Sequence, residues 1–103
     1  MGFFIIFVFM VMYPSTEIIK DLLETLVSPK FNGILEYGIE YSTHDDTGDT
    51  WLMVDVIFDM KKYNEQWQLK DNFDDYVITE VRNTIKYLSF NPRRVIVDIY
   101  VIE

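Results

Sequence analysis

Residues 1–14 read MGFFIIFVFMVMYP, and the architecture turns on what this run does. Residues 2–13 carry no charged side chain, whereas a helix needs about 20 apolar residues to cross a bilayer. The run is too short to span. A secretory leader wants a basic segment ahead of its apolar core and small residues at a cleavage site, yet only Met1 and Gly2 precede Phe3, and Tyr13-Pro14 follows. Phe3, Phe4, Ile5, Ile6, Phe7, Val8, Phe9 and Val11 are aromatic or β-branched and do not alternate with polar residues, the pattern of a strand buried on both faces. The expectation is an interior strand. The other reading is a dispensable or anchoring extension from an upstream start, with Met10 or Met12 opening a shorter chain.

Downstream the periods are clearer. Pro14-Ser15-Thr16 supplies a turn and a hydroxyl cap, and Ile18, Ile19, Leu22, Leu23, Leu26 and Val27 recur at helical spacing until Pro29 stops them. From Leu35 the period falls to two, with Leu35, Tyr37, Ile39 and Tyr41 on one face and Glu36, Gly38 and Glu40 on the other. A second strand over 51–60 sets Leu52, Val54, Val56, Phe58 and Met60 inward and Trp51, Met53, Asp55, Ile57 and Asp59 outward. The polar stretch KKYNEQWQLKDN, residues 61–72, has no sustained period and is expected to be a connection holding a short turn of helix. Phe73, Val77, Val81, Ile85 and Leu88 then trace one helical face, capped by Asp71 or Asn72, with Asp74 and Asp75 in the first turn and Lys86 near the end. Asn91-Pro92 closes that helix, and Val95–Ile102 is a last strand.

The predicted order is strand, helix, strand, strand, helix, strand in a single domain over residues 1–103. This is the α+β, ferredoxin-like βαββαβ sandwich, an antiparallel sheet with two helices on one face. Without the opening strand the order becomes helix, strand, strand, helix, strand, and the element order then resembles the type II K-homology domains, among them the ribosome-binding factor A family. That alternative implies a KH-like core with an apolar N-terminal extension and an RNA-binding or ribosome-associated role. The family's Gly-x-x-Gly loop between helices has no counterpart here, because the four glycines stand at Gly2, Gly33, Gly38 and Gly48.

Composition removes several chemistries. The 17 acidic residues outweigh the 9 basic ones for a net charge of -8, so the chain as a whole repels phosphate backbones and anionic membrane surfaces. No cysteine is present, which excludes disulfides, thiol nucleophiles and cysteine-ligated metals, and the single histidine excludes a multi-histidine metal site within one subunit.

Three constellations could carry chemistry. In STHDDTGDTW, residues 42–51, Asp45, Asp46 and Asp49 surround Gly48 with His44 alongside, but the spacing is not that of a calcium loop, and Asp, Thr and Gly are the residues of a hairpin turn. Asp55 and Asp98 sit mid-strand on the outer face, where a metal-dependent phosphotransfer enzyme would carry carboxylates, yet the opening strand supplies no third acid. Solvation, or pairing with Arg93, Arg94 or a lysine, is the simpler expectation for both. Arg82, Lys86, Arg93 and Arg94 gather near the end of the second helix with Tyr87, Phe90 and Tyr100, which is where nucleic acid would dock, although a helix C-terminus attracts cations on its own account.

The outer apolar residues carry more information. With helices on one side of the sheet, the other side displays Trp51, Met53, Ile57, Ile96, Tyr100 and Ile102 together with half of the phenylalanine-rich opening strand. Monomers rarely expose contiguous apolar patches beyond roughly a few hundred Å². A second copy or a different protein would cover such a face, although a mixture of Asp, Trp and Tyr can also stay wet. The expectation is therefore a non-enzymatic, acidic protein–protein interaction or assembly module without cofactor or metal. Its partner is a protein or a second copy, nucleic acid is disfavoured, and the chain does not span a membrane. The expected place is the cytoplasm, or a virion, since small acidic proteins of this profile are frequent among phage and mobile-element products.

Overall fold

The computed structural model describes residues 13–44, 46–88 and 91–103. The expected opening strand lies outside them, except for Tyr13, which stands in a bend. The described chain runs through helix α1 (Thr16–Leu26), strands β1 (Ile34–Thr43) and β2 (Thr50–Asp59), helices α2 (Met60–Leu69) and α3 (Phe73–Lys86), and strand β3 (Val95–Ile102). Short 3₁₀ turns at Ser28–Lys30 and Pro92–Arg94 precede β1 and β3.

The first two helices begin where a side chain satisfies a free N–H group, whereas Asn72, at the start of the third, makes no such bond. The Ser15 hydroxyl accepts from the Ile18 N–H at 3.2 Å at the start of α1, and Pro29 stands in the 3₁₀ turn that follows the helix. Asp59 plays the same part for α2, accepting from the Lys62 N–H at 3.1 Å. That cap ends β2 one residue earlier than expected, so Met60, predicted to face inward, instead opens a helix and is exposed. Asn72 holds a left-handed backbone (φ 60°) ahead of α3, while Asp74 and Asp75 in the first turn and Lys86 in the last complement the helix dipole.

The segment expected to be a connection is thus a ten-residue helix. No residue of α2 is fully buried. It is held instead by contacts far away in sequence. The Tyr63 hydroxyl donates to Asp74 at 2.6 Å, and the Gln66 side-chain amide accepts from Asn32 N–H at 2.9 Å and donates to Asn32 C=O at 2.7 Å. Gly33 permits that approach: its φ is +86°, its carbonyl accepts from Asp59 N–H at 2.8 Å, and a Cβ there would stand 2.6 Å from Lys62 Cβ.

The sheet has the order β1-β2-β3. β1 and β2 are antiparallel, but β3 runs parallel to β2 from Leu52↔Val95 to Asp59↔Ile102. Among the described residues the sheet is therefore mixed rather than antiparallel, and three helices accompany it rather than two. The reason is the crossover: the chain leaves β2, makes α2 and α3, and returns in the direction it left, which yields parallel neighbours. In a ferredoxin-like arrangement a further strand separates the two members of such a unit. Here β3 bonds directly to β2 along its whole length, and no strand stands between them.

Packing confines the core to one side of this sheet. Leu52, Val54, Val56 and Phe58 of β2 are fully buried against Ile19, Leu23 and Val27 of the first helical segment and Phe73, Val77, Val81 and Ile85 of α3. Aromatic rings close the end under α2, with Phe58 lying 5.5 Å from Tyr63 and 5.6 Å from Phe73. All three helices thus lie against the inward face.

One irregularity redirects β1. Ile34 pairs with Phe58 and Glu36 pairs with Ile57, so two residues of β1 advance against one of β2 and Leu35 is the extra one. Tyr37, Ile39 and Tyr41 keep the inward positions expected of them, and Tyr37 is buried. Leu35, expected beside them, is displaced by this bulge and is 55% exposed, while Ile34 takes the inward place opposite Phe58.

Candidate interaction surface

The uncovered side of the sheet is built row by row from the strand register. One row holds Glu36, Ile57 and Tyr100, the next Gly38, Asp55 and Asp98, and the next Glu40, Met53 and Ile96, with Ser42 and Trp51 beyond and Ile102 beside Asp59 at the opposite end. The six apolar residues expected on this face, Trp51, Met53, Ile57, Ile96, Tyr100 and Ile102, are all on it. They do not form one continuous patch. The Asp55–Asp98 row separates Trp51, Met53 and Ile96 from Ile57, Tyr100 and Ile102.

The second half is the more open. Tyr100 is 52% and Ile102 48% exposed, and the bulged Leu35 joins them, so that Leu35, Glu36, Ile57, Tyr100 and Ile102 line a groove of about 480 Å³. Periodicity alone placed Leu35 on the wrong face, because a bulge leaves no mark in an alternating pattern. At the other half, Trp51 meets His44 edge-on with centroids 5.8 Å apart.

The acidic row between the halves has its own geometry. Asp55 lies on the central strand, opposite Gly38 on one side and Asp98 on the other. A Cβ at Gly38 would lie 3.5 Å from Asp55 Cβ and 3.6 Å from its Oδ2, ordinary contacts, so the Asp55 carboxylate leans over the bare glycine. Partial burial raises the Asp55 carboxyl above its ordinary value, and the like charges of Asp98 and then Glu40 push in the same direction. The expected pairing of these carboxylates with a base does not occur among the described residues: Arg94 bonds Asp49 at 2.8 Å instead, and Lys30 pairs with Glu80. The sequences of the three strands contain no lysine or arginine.

The remaining candidates are dispersed or explained locally. His44 N–H donates to Asp49 C=O at 2.9 Å and Gly48 N–H to His44 C=O at 2.7 Å, so the described part of the loop between β1 and β2 folds on its own backbone, with Asp45 outside the described residues. No group of three metal-ligating side chains gathers among the described residues. Lys86 and Arg93 are exposed, Arg82 is half-buried, and Arg94 is engaged by Asp49. Tyr100 is six residues along β3 from Arg94, about 20 Å away, so it does not join the basic cluster, and Phe90 lies outside the described residues.

Sequence patterning also concealed a second exposed stripe. Of the six apolar positions on the first helical segment, Ile19, Leu23 and Val27 enter the core, while Ile18 and Leu26 remain exposed and, with Leu22 and Leu88, line a shallow depression. A wide apolar arc at helical spacing has no feature that says which half is covered. Among the described residues no helix is long and apolar enough to cross a membrane. No protein-family model matches the chain, and no curated protein matches it.

Proposed function

We propose that this chain is a non-enzymatic interaction module that works through the open face of its sheet. The observation that supports it is the groove between Leu35, Ile57, Tyr100 and Ile102, apolar side chains on the side that none of the described helices covers. Exposed clusters of this kind mark contact surfaces. The test is a double substitution, Ile57→Ser with Tyr100→Ser. The variant is expected to keep the circular dichroism spectrum of the parent and to lose association, read as molar mass by light scattering and as proteins retained from an extract of the source cells. Parent and variant with the same mass and the same retained proteins would refute the proposal.

A second reading is favoured by one observation, the order of the described elements. Helix, strand, strand, two successive helices and strand resembles a type II K-homology core, which would make the chain an RNA-binding or ribosome-associated domain. The turn joining α2 to α3, where that family carries its Gly-x-x-Gly loop, reads Lys70-Asp71-Asn72. Lys86 lies at the far end of α3, fourteen residues on, about 21 Å away. Salt-sensitive binding of single-stranded RNA that is lost in Arg93→Glu would support this reading, and its absence at low salt would remove it.

A further inference from the structure

We infer that the occupant of the open face is a basic amphipathic segment of another protein, whose lysine or arginine lies over the Gly38–Asp55–Asp98 row while its apolar side chains fill the halves on either side. This rests on the proposal that the open face is a contact surface, and it names the chemistry of the partner.

Charge complementarity decides between the occupants. The face presents Glu36, Glu40, Asp55 and Asp98, and the three strands offer no cation to neutralise them. A second copy stacked sheet on sheet would set one Asp55–Asp98 row toward another. Carboxylates buried without partners strongly disfavour such a contact. Residues 1–12 contain no lysine or arginine, so they too would bury the two carboxylates unpaired. Nucleic acid meets the same sign of charge on its phosphates. A basic segment resolves the conflict, since a guanidinium or ammonium over this row pairs with Asp55 or, on the next strand, with Asp98, and alternate apolar side chains one step away on each side meet Met53 and Ile96 or Ile57 and Tyr100. A side chain at Gly38 would stand against the Asp55 carboxylate and crowd a cation that reaches it.

The test uses the full chain and three synthetic probes in calorimetric titration: a peptide alternating leucine with lysine, the same peptide with glutamate for lysine, and oligolysine. The leucine–lysine peptide is expected to bind, and the other two to bind at least about tenfold more weakly. Asp55→Asn with Asp98→Asn should weaken binding about tenfold or more, and Gly38→Thr should do the same without changing the charge. Glu24→Gln with Glu65→Gln, an equal change of charge on exposed helical positions, should leave affinity within about twofold. The inference is overturned if the two charge-changing pairs act alike, if oligolysine binds as tightly as the amphipathic peptide, or if Gly38→Thr has no effect. It is also overturned if light scattering shows a dimer that Ile57→Ser with Tyr100→Ser dissociates. That last result would leave the contact-surface proposal standing with a second copy as occupant, whereas an unchanged set of associations in the serine variant would remove both.

Discussion

The two faces of β2 differ in what lies over them more than in what composes them. Leu52, Val54, Val56 and Phe58 are sealed beneath the helices, while their neighbours Trp51, Met53, Asp55 and Ile57, three of them apolar, stay half-exposed. Apolar composition therefore does not define the core. A side chain is core when another element closes over it, and on this sheet all the described helices close over one side. The other side is left with hydrophobic residues arranged around a pair of carboxylates that no described base neutralises.

The most direct way to break this contrast is to truncate adjacent residues on opposite faces. Phe58→Ala, which empties a site packed by Tyr63 and Phe73, is expected to cost about 3–5 kcal/mol, and Ile57→Ala below about 1 kcal/mol, both from denaturant midpoints. Equal costs would mean that the open face is covered in the isolated protein. The glycines give a second pair. Gly33→Ala must hold a left-handed backbone and displace Lys62, with an expected loss of about 2 kcal/mol. Gly38→Thr, in a regular strand with room for its Cβ, should be neutral or slightly stabilising by the same measurement.

The smallest effect concerns the acidic row and sharpens the contrast by pH. Because the Asp55 carboxyl is raised in the folded chain, the folded state binds that proton more readily than the unfolded one. Stability from this group is therefore fully present below the ordinary value of 3.8 and declines as pH rises through the higher folded value. Asp55→Asn mimics the protonated form. Its melting temperature should exceed the parent's at neutral pH, and the difference should vanish below pH 3.8. A difference of constant size across that range would place its origin in packing rather than charge.

Much of this was legible before the fold was known, and the exceptions have a common cause. The strands over 50–59 and 95–102 and the helix over 73–86 follow from periods of two and about 3.6 in their apolar residues, and the Ser15 cap follows from a hydroxyl ahead of a helical repeat. The six apolar residues of the open face could be named because alternation sorts side chains to opposite sides. The helix over 60–69 escaped notice because its anchors, Tyr63, Gln66 and Gly33, are meaningful only once Asp74 and Asn32 lie beside them. The bulge that turns Leu35 outward escaped for a similar reason, since its evidence is the pairing with β2 and not anything in β1.

Local sequence, then, determined which segments are helical or extended and which residues share a side, because those properties arise from contacts a few residues apart. Tertiary structure alone decided that β3 lies parallel to β2, that Asp55 and Asp98 come into register, and that the described helices share one face. Strand partners are chosen by the joint packing of residues more than 40 positions apart, and the crossover through α2 and α3 determines both the direction of β3 and the side on which the helices close.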